Sequence, residues 1–295
     1  MSDHDHAGPD DYPVRLVPAT EFTVEKLTWA YNQARVDYIV PMPMNPKRLQ
    51  GYIDNYDVVL ERSVVAMRGE QILGLSMLGT RLNPLHTWIT RLGVLPVKRR
   101  HGAGQLMMEY MIDQSKQIGA EYVILEVIKN NVPAHRLFIK LGFEEVRQLL
   151  ILRRPPGRPA EDVDAPPYDV EFFGADQAIA FLSQRRSVPS WVDETPSLIN
   201  AGNLEALRVR LRNGARGWLV FQNTTFQLAR LVPQTEAGDP RLVACALAHA
   251  LHSRYDAKDT KTENVPLNDP HLPGLKDVGY IESFRRIEMK LDLTK

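Results

Sequence analysis

The chain has 295 residues, 44% of them hydrophobic, which is enough for about two ordinary domains with real cores. Its 36 basic and 36 acidic side chains give a formal net charge of zero, so no global basic surplus exists to neutralise phosphates and nucleic acid is not an expected partner. One cysteine, Cys245, excludes a disulfide framework and fits a reducing, cytoplasmic compartment; the apolar run Leu242 to Ala248 around it marks a buried small hydrophobe.

In chain order, Met1 to Asp11 is polar and acidic and lacks the features of a signal peptide, so residues 1–12 are expected to be a disordered tail, His4 and His6 included. No apolar run approaches the roughly 18 residues of a membrane span, and no membrane partner is expected. Val14 to Pro18 alternates. Glu21 to Tyr31 is helical, Tyr38 to Met44 an irregular loop, and Lys47 to Tyr56 helical again. Strands at Ser63–Met67 and Ile72–Met77 flank the turn Arg68–Gln71, and Trp88–Leu95 is a further strand. After a basic loop, Pro96–His101, the apolar spacing Leu106, Met107, Tyr110, Met111 predicts a helix over 104–116. Tyr122–Val127 is an almost continuous apolar strand. Pro133–Leu141 is a short helix stopped by Gly142, and Val146–Leu152 a last strand.

Five prolines between Arg153 and Pro167 predict an extended linker. The pattern then restarts with a strand at Tyr168–Phe172, a helix at Asp176–Arg185, three strand-like runs and a long helix, Pro240–Tyr255. The two halves also align without a gap. Pro96 meets Pro233, Glu126 meets Glu263, Asn131 meets Asn268, Pro133 meets Pro270, and Gly142 meets Gly279, always at an offset of 137. We therefore expect two tandem copies of one α/β fold, at 13–153 and 168–295 with a linker at 154–167, each a twisted mixed sheet flanked by helices.

The segment from Leu92 to Leu106 carries the chemistry. A strand ends at Pro96, a basic glycine-containing loop follows, and a helix begins. The first N–H groups of a helix lack intrahelical partners and its dipole favours an anion there, so the loop is a candidate phosphate cradle. Gly102 and Gly104 allow close backbone approach, and Arg99 and Arg100 add charge. The third glycine of a dinucleotide fingerprint is absent, as is the Gly-Lys-Ser/Thr of a nucleoside-triphosphatase loop.

Arg99-x-x-Gly102-x-Gly104, after a Val-x-Pro strand end, resembles the signature of GCN5-related N-acetyltransferases (GNAT). The second block, Leu125-Glu126-Val127 and Asn131-x-x-Ala134-x-x-Leu137-Phe138-x-Lys140-x-Gly142-Phe143, resembles that family in order and spacing. The likeness covers about residues 14 to 152 well and 168 to 293 faintly. It implies an acetyl-CoA-dependent N-acetyltransferase. By that resemblance Arg99, Arg100, His101, Gly102, Ala103, Gly104 and Gln105 hold the pyrophosphate. Leu92, Gly93 and Val94 meet the pantetheine and thioester, and Asn131 meets the cofactor arm.

Amine acetylation needs a base for the attacking amine and a proton for the leaving thiolate. The resemblance offers Glu126 as the base; the alternative is a structural carboxylate, since Glu263 stands at the equivalent place in the second copy. Phe138 occupies the cofactor-side position where the family usually has a tyrosine acid, and phenylalanine has no proton to give. In the second copy Glu236 and Asp239 replace Arg99 and Gly102, so that copy is expected to bind no CoA. His249 and His252, three apart on its helix, form no metal site without further ligands, and no metal is expected.

The acceptor is expected to be the primary amine of a small molecule, in a pocket with Tyr31, Asp37, Tyr38, Met42 and Met44, where Asp37 faces a cationic amine; packing of the loop is the alternative for these residues. Protein or peptide acetylation and non-catalytic acyl-CoA binding are the competing functions. Monomer and homodimer both remain open.

Overall fold

The computed structural model describes residues 13–96, 99, 102–160 and 167–295. The expected tail, 1–12, and the linker residues 161–166 lie outside the described residues. Two compact units divide the chain: one runs to Val146 and includes Glu288–Lys295, and the other is Arg147–Ile287. The units therefore differ from the two sequence copies. Most of the strand closing the first copy is counted with the second unit, and only the end of the strand closing the second copy, from Glu288, with the first; no local pattern encodes this.

In the first unit β1 (Val14–Pro18), α1 (Val24–Gln33), α2 (Pro46–Asn55), β2 (Val64–Arg68), β3 (Gln71–Leu82), β4 (Leu85–Val94), α3 (Ala103–Gln117), β5 (Tyr122–Ile128) and α4 (Val132–Lys140) follow one another. The strands lie in the order β1-β2-β3-β4-β5, antiparallel except for the parallel pair β4–β5. Thr23 and Asn45 start α1 and α2 by accepting from the N–H of Lys26 and Arg48, each satisfying a donor the helix cannot. Both helices pack on alternate residues of two strands, Val65 and Met67, Leu75 and Met77, as a period of two requires. Met107, Met108 and Met111 form the fully buried stripe of α3, and a 2.7 Å hydroxyl pair, Thr87 to Ser115, ties that helix to β4. Gly74 lets β4 pass close: a Cβ there would meet the Gly93 carbonyl and lie 3.0 Å from the Val94 Cα.

The second unit takes up most of β6 (Glu144–Arg154), then β7 (Tyr168–Phe173), α5 (Ala175–Leu182), α6 (Thr195–Ala201), β8 (Leu204–Leu211), β9 (Arg216–Asn223), β10 (Gln227–Ala237), α7 (Pro240–Arg254), β11 (Asp259–Pro266), α8 (Leu272–Asp277) and most of β12 (Ile281–Asp292). Its strand order is β6-β11-β10-β9-β8-β7, with β10–β11 the parallel pair. Helices α3 and α7 have 15 residues each and begin at Ala103 and Pro240, the same offset of 137. Trp218 stacks on Phe181 with centroids 5.4 Å apart, and Trp191 is fully buried. Cys245 is a buried thiol on α7, packed in the core of this unit. His249 pairs with the Tyr168 hydroxyl and His252 with that of Tyr280, each at 2.8 Å.

One buried carboxyl in this unit yields a pH prediction. Burial pushes Asp193 up to about 6, against the pull of Arg185 and Arg230 and a bond from Ser190. The folded form thus holds its proton more tightly than the unfolded chain. Its contribution to stability is complete below about pH 4 and is lost as pH rises through about 6. Asp193→Asn copies the protonated form. Its thermal stability should match wild type near pH 4 and exceed it above pH 7, by about 3 kcal/mol for a shift of that order. A constant difference across this range would refute the assignment.

Candidate active site

The site begins where β4 and β5 part. Their parallel pairing covers only His86–Tyr122, Thr87–Val123 and Trp88–Ile124, yet β4 continues to Val94 and β5 to Ile128. A bulge starts the divergence: Arg91 adopts φ 56°, and the register against β3 shifts between Leu75 and Met77. Beyond it the Leu95 N–H bonds the Leu73 carbonyl in β3. By the alternation of a strand, Leu92 and Val94 then turn their carbonyls towards the split. Two arginines meet them there: Arg35 Nη2 donates to the Leu92 carbonyl and Arg99 Nε to that of Val94, both at 3.2 Å.

Past the split lies the start of α3. Its N-cap is Gly102 at φ 81°, with no side chain closing the first N–H groups and no acid in the first turn. Helices α1, α2, α4 and α7 are each closed by an Asn, Asp or Thr side chain. An uncapped first turn facing a cleft leaves N–H groups and a dipole that suit an anion. A Cβ on Gly102 would meet nothing within 4 Å, and one on Gly104 would make only ordinary contact, 3.5 Å from Val94 and 3.9 Å from Leu137. The backbone is therefore open to a bulky anion.

Between β4, α3 and α4 is a cleft of about 650 Å³. It gathers Leu92, Gly93, Val94, Arg99, Gly102, Ala103, Gly104, Gln105 and Asn131 from the expected cofactor set, and Asp37 and Tyr38 from the expected acceptor set. Asn131 caps α4 and donates to the Tyr38 hydroxyl at 3.4 Å. Asp37 is engaged by Arg99, which holds it through two bonds of 2.7 and 2.8 Å; this bond keeps the carboxyl below its usual range. Expected as an amine ligand, Asp37 instead joins the α1–α2 segment to the loop before α3.

Other expected residues lie elsewhere. Arg100 and His101 fall outside the described residues. Phe138 is buried against Phe143, and its neighbour Leu137 lines the cleft. Tyr31 is buried and donates to the Met42 carbonyl at 3.0 Å, while Asn32 bonds Met44 through both backbone groups, pinning the loop after α1. Glu126 stands on β5 past the last paired residue and accepts 2.7 Å from Trp88 Nε1. The Trp88 ring meets Tyr56 and Tyr52 at 5.6 and 6.0 Å. Sequence reasoning missed Arg35, Arg91 and Tyr52 in this neighbourhood. Burial pushes the Tyr52 phenol far above its ordinary range, so it stays protonated.

The second copy has no counterpart to this cradle. Eight residues separate Val94 from Ala103, but only Gly238 and Asp239 separate Ala237 from Pro240. Asp239 accepts from the Arg241 N–H and so fills the helix start itself. Glu236 is paired with Arg208 at 2.7 Å and Arg216 at 3.6 Å. Glu263, the counterpart of Glu126, is locked by Lys261 at 2.6 Å and Arg286 at 2.9 Å; burial alone would raise it, but these cations hold it well below the carboxylate range.

Residues 26–143 match the Acetyltransferase (GNAT) family model. Solved structures match nearly the whole chain. A tandem GNAT protein from the clavulanic acid biosynthesis pathway superposes with a TM-score of 0.62 at 14% identity, over 95% of this chain and 98% of that one. A GCN5-related N-acetyltransferase from Sphaerobacter thermophilus gives 0.61 at 16% identity, over 96% of each. The glucosamine N-acetyltransferase region of a fungal multi-domain β-N-acetylglucosaminidase gives 0.73 at 13% identity, over 94% of this chain and 38% of that. No curated protein matches. Among the described residues no helix is long and apolar enough to cross a membrane. The split strands, the open helix start and the family match fall on the same stretch: residues 26–143 are similar to the GNAT family of acetyltransferases, and the chain has the fold of a tandem GNAT protein.

Proposed function

We propose that the first copy binds acetyl-CoA in the cleft between β4, α3 and α4 and transfers its acetyl group to the primary amine of a small molecule. The observation that carries this reading is the uncapped start of α3 beside the free edge of β4. The N–H groups from Ala103 onward, with Arg99, would hold the pyrophosphate; Leu92 and Val94 would face the pantetheine, and Asn131 the cofactor arm. Bound there, acetyl-CoA supplies an acyl group activated as a thioester.

The chain's own residues then have two tasks. Glu126 takes the proton the amine loses as the new C–N bond forms and the C–S bond breaks. Trp88 Nε1 fixes the orientation of that carboxylate. Phe138 has no proton to give the CoA sulfur, so water would supply it. A silent second copy leaves one cofactor per chain.

Phe138 also favours a second reading, an acyl-CoA-binding regulator without turnover. Purified protein, acetyl-CoA and a panel of small amines separate the two when released thiol is measured. Thiol release that depends on a particular amine is expected. Acetyl-CoA binding with no release for any amine or peptide would leave only the regulator, and turnover confined to peptides would move the acceptor class.

A further inference from the structure

We infer that the reactant bound beside Gly93 carries a carboxylate, recognised by Arg35 and Arg91, so that the acceptor is an amine of amino-acid type. This deepens the acetyltransferase reading and rests on it.

Arg35 lines the cleft, and a Cβ on Gly93 would lie 3.1 Å from its Nη1. Its Nη2 bonds the Leu92 carbonyl, but its Nε and Nη1 are buried with no acceptor. The guanidinium lies 4.2 Å from the Tyr31 ring centre and 5.4 Å from that of Tyr38. Arg91 lies on the same aromatic wall, 3.8 Å over Tyr52 and 5.1 Å over Tyr31. Its Nη1 donates to the Tyr31 hydroxyl at 3.1 Å, and its Nε too is buried without an acceptor. Among the described residues neither arginine meets a carboxylate. Asp37 is held by Arg99, and Glu126 accepts from Trp88.

Two neighbouring, half-buried cations on ring faces, with three buried nitrogens unmet, form an incomplete arrangement. Ring faces stabilise a cation only weakly, whereas a charge drawn out of water without its counter-ion is costly. Burial lowers Arg35 from its usual value, and Arg91 adds to that against the help of Tyr31. A carboxylate matches the planar fork of a guanidinium and supplies two acceptors at once. The same positive charge serves the chemistry, because cations nearby disfavour the ammonium form and keep an amine neutral for attack. A polycationic acceptor has nothing to offer these arginines. One other reactant brings the same group, the acyl chain of a dicarboxylic thioester, so the test must separate the two.

The experiment compares matched acceptors with the full chain: amino acids, their carboxamides and the corresponding decarboxylated amines, each with acetyl-CoA. The carboxylate form should be favoured in kcat/KM on the order of 10- to 100-fold, the worth of a charge-assisted bond. Arg35→Gln should remove that preference mainly through KM, and Arg35→Lys should restore part of it. In a second arm succinyl-CoA and acetyl-CoA compete for a carboxylate-free amine. A succinyl preference that Arg35→Gln abolishes would overturn the assignment to the acceptor and put the carboxylate on the acyl donor. Turnover with no carboxylate preference in either arm, a result of wild type alone and independent of any variant's folding, would overturn the inference and leave the enzyme intact. Absence of turnover with every amine would overturn both.

Discussion

Gly104→Glu should abolish acetyl-CoA binding while leaving the fold intact. The position lies in the first turn of α3, where N–H groups are unmatched and no side chain caps them. A Cβ there makes only ordinary contacts with Val94 and Leu137, so the longer side chain is accommodated at the cleft surface. Glutamate is also a better helix former than glycine, by about 0.5–1 kcal/mol, so melting should stay level or rise slightly. The new carboxylate would stand where a pyrophosphate is held and compete for the same dipole and N–H groups. Like charges placed together cost several kcal/mol, so affinity should fall about 100-fold or more by calorimetry. Binding at wild-type strength would show that the cofactor lies elsewhere.

Glu126→Gln should lower turnover by about 100-fold or more, the usual range for loss of a general base, with acetyl-CoA affinity kept. Glutamine retains an oxygen for the 2.7 Å bond from Trp88 Nε1, so the variant removes the charge and preserves the shape. Glu263 is fixed between Lys261 and Arg286 as part of an ion network in the second unit. Glu126 accepts, among its contacts, from the Trp88 indole, on β5 past the residues that pair with β4. Unchanged turnover would remove Glu126 from the mechanism and leave its bond to Trp88 as its role.

The cofactor side of the site was legible because it is local. Leu92 to Gln105 is one strand end, one loop and one helix start, and the spacing of Arg99, Gly102 and Gly104 carries most of that arrangement. The repeat was legible for the same reason: α3 and α7 keep length and offset through an ungapped stretch. What failed to show is non-local. Nothing near Asp37 announces Arg99, 62 residues away, as its partner. Arg35, Arg91 and Tyr52 come from the turn after α1, from β4 and from α2, and each alone is an ordinary surface-type residue or helix aromatic. The shortened loop of the second copy was also hidden, because β10 extends to Ala237 through polar residues that carry no strong strand signal. Strand membership of the units depends on pairing between distant segments, which periodicity does not encode.

One live cofactor site in the first copy and none in the second should be visible in a calorimetric titration of the intact chain with acetyl-CoA. Saturation is expected at about one molecule per chain, with loss of that binding in Gly104→Glu. Two molecules per chain, or one that survives Gly104→Glu, would contradict it.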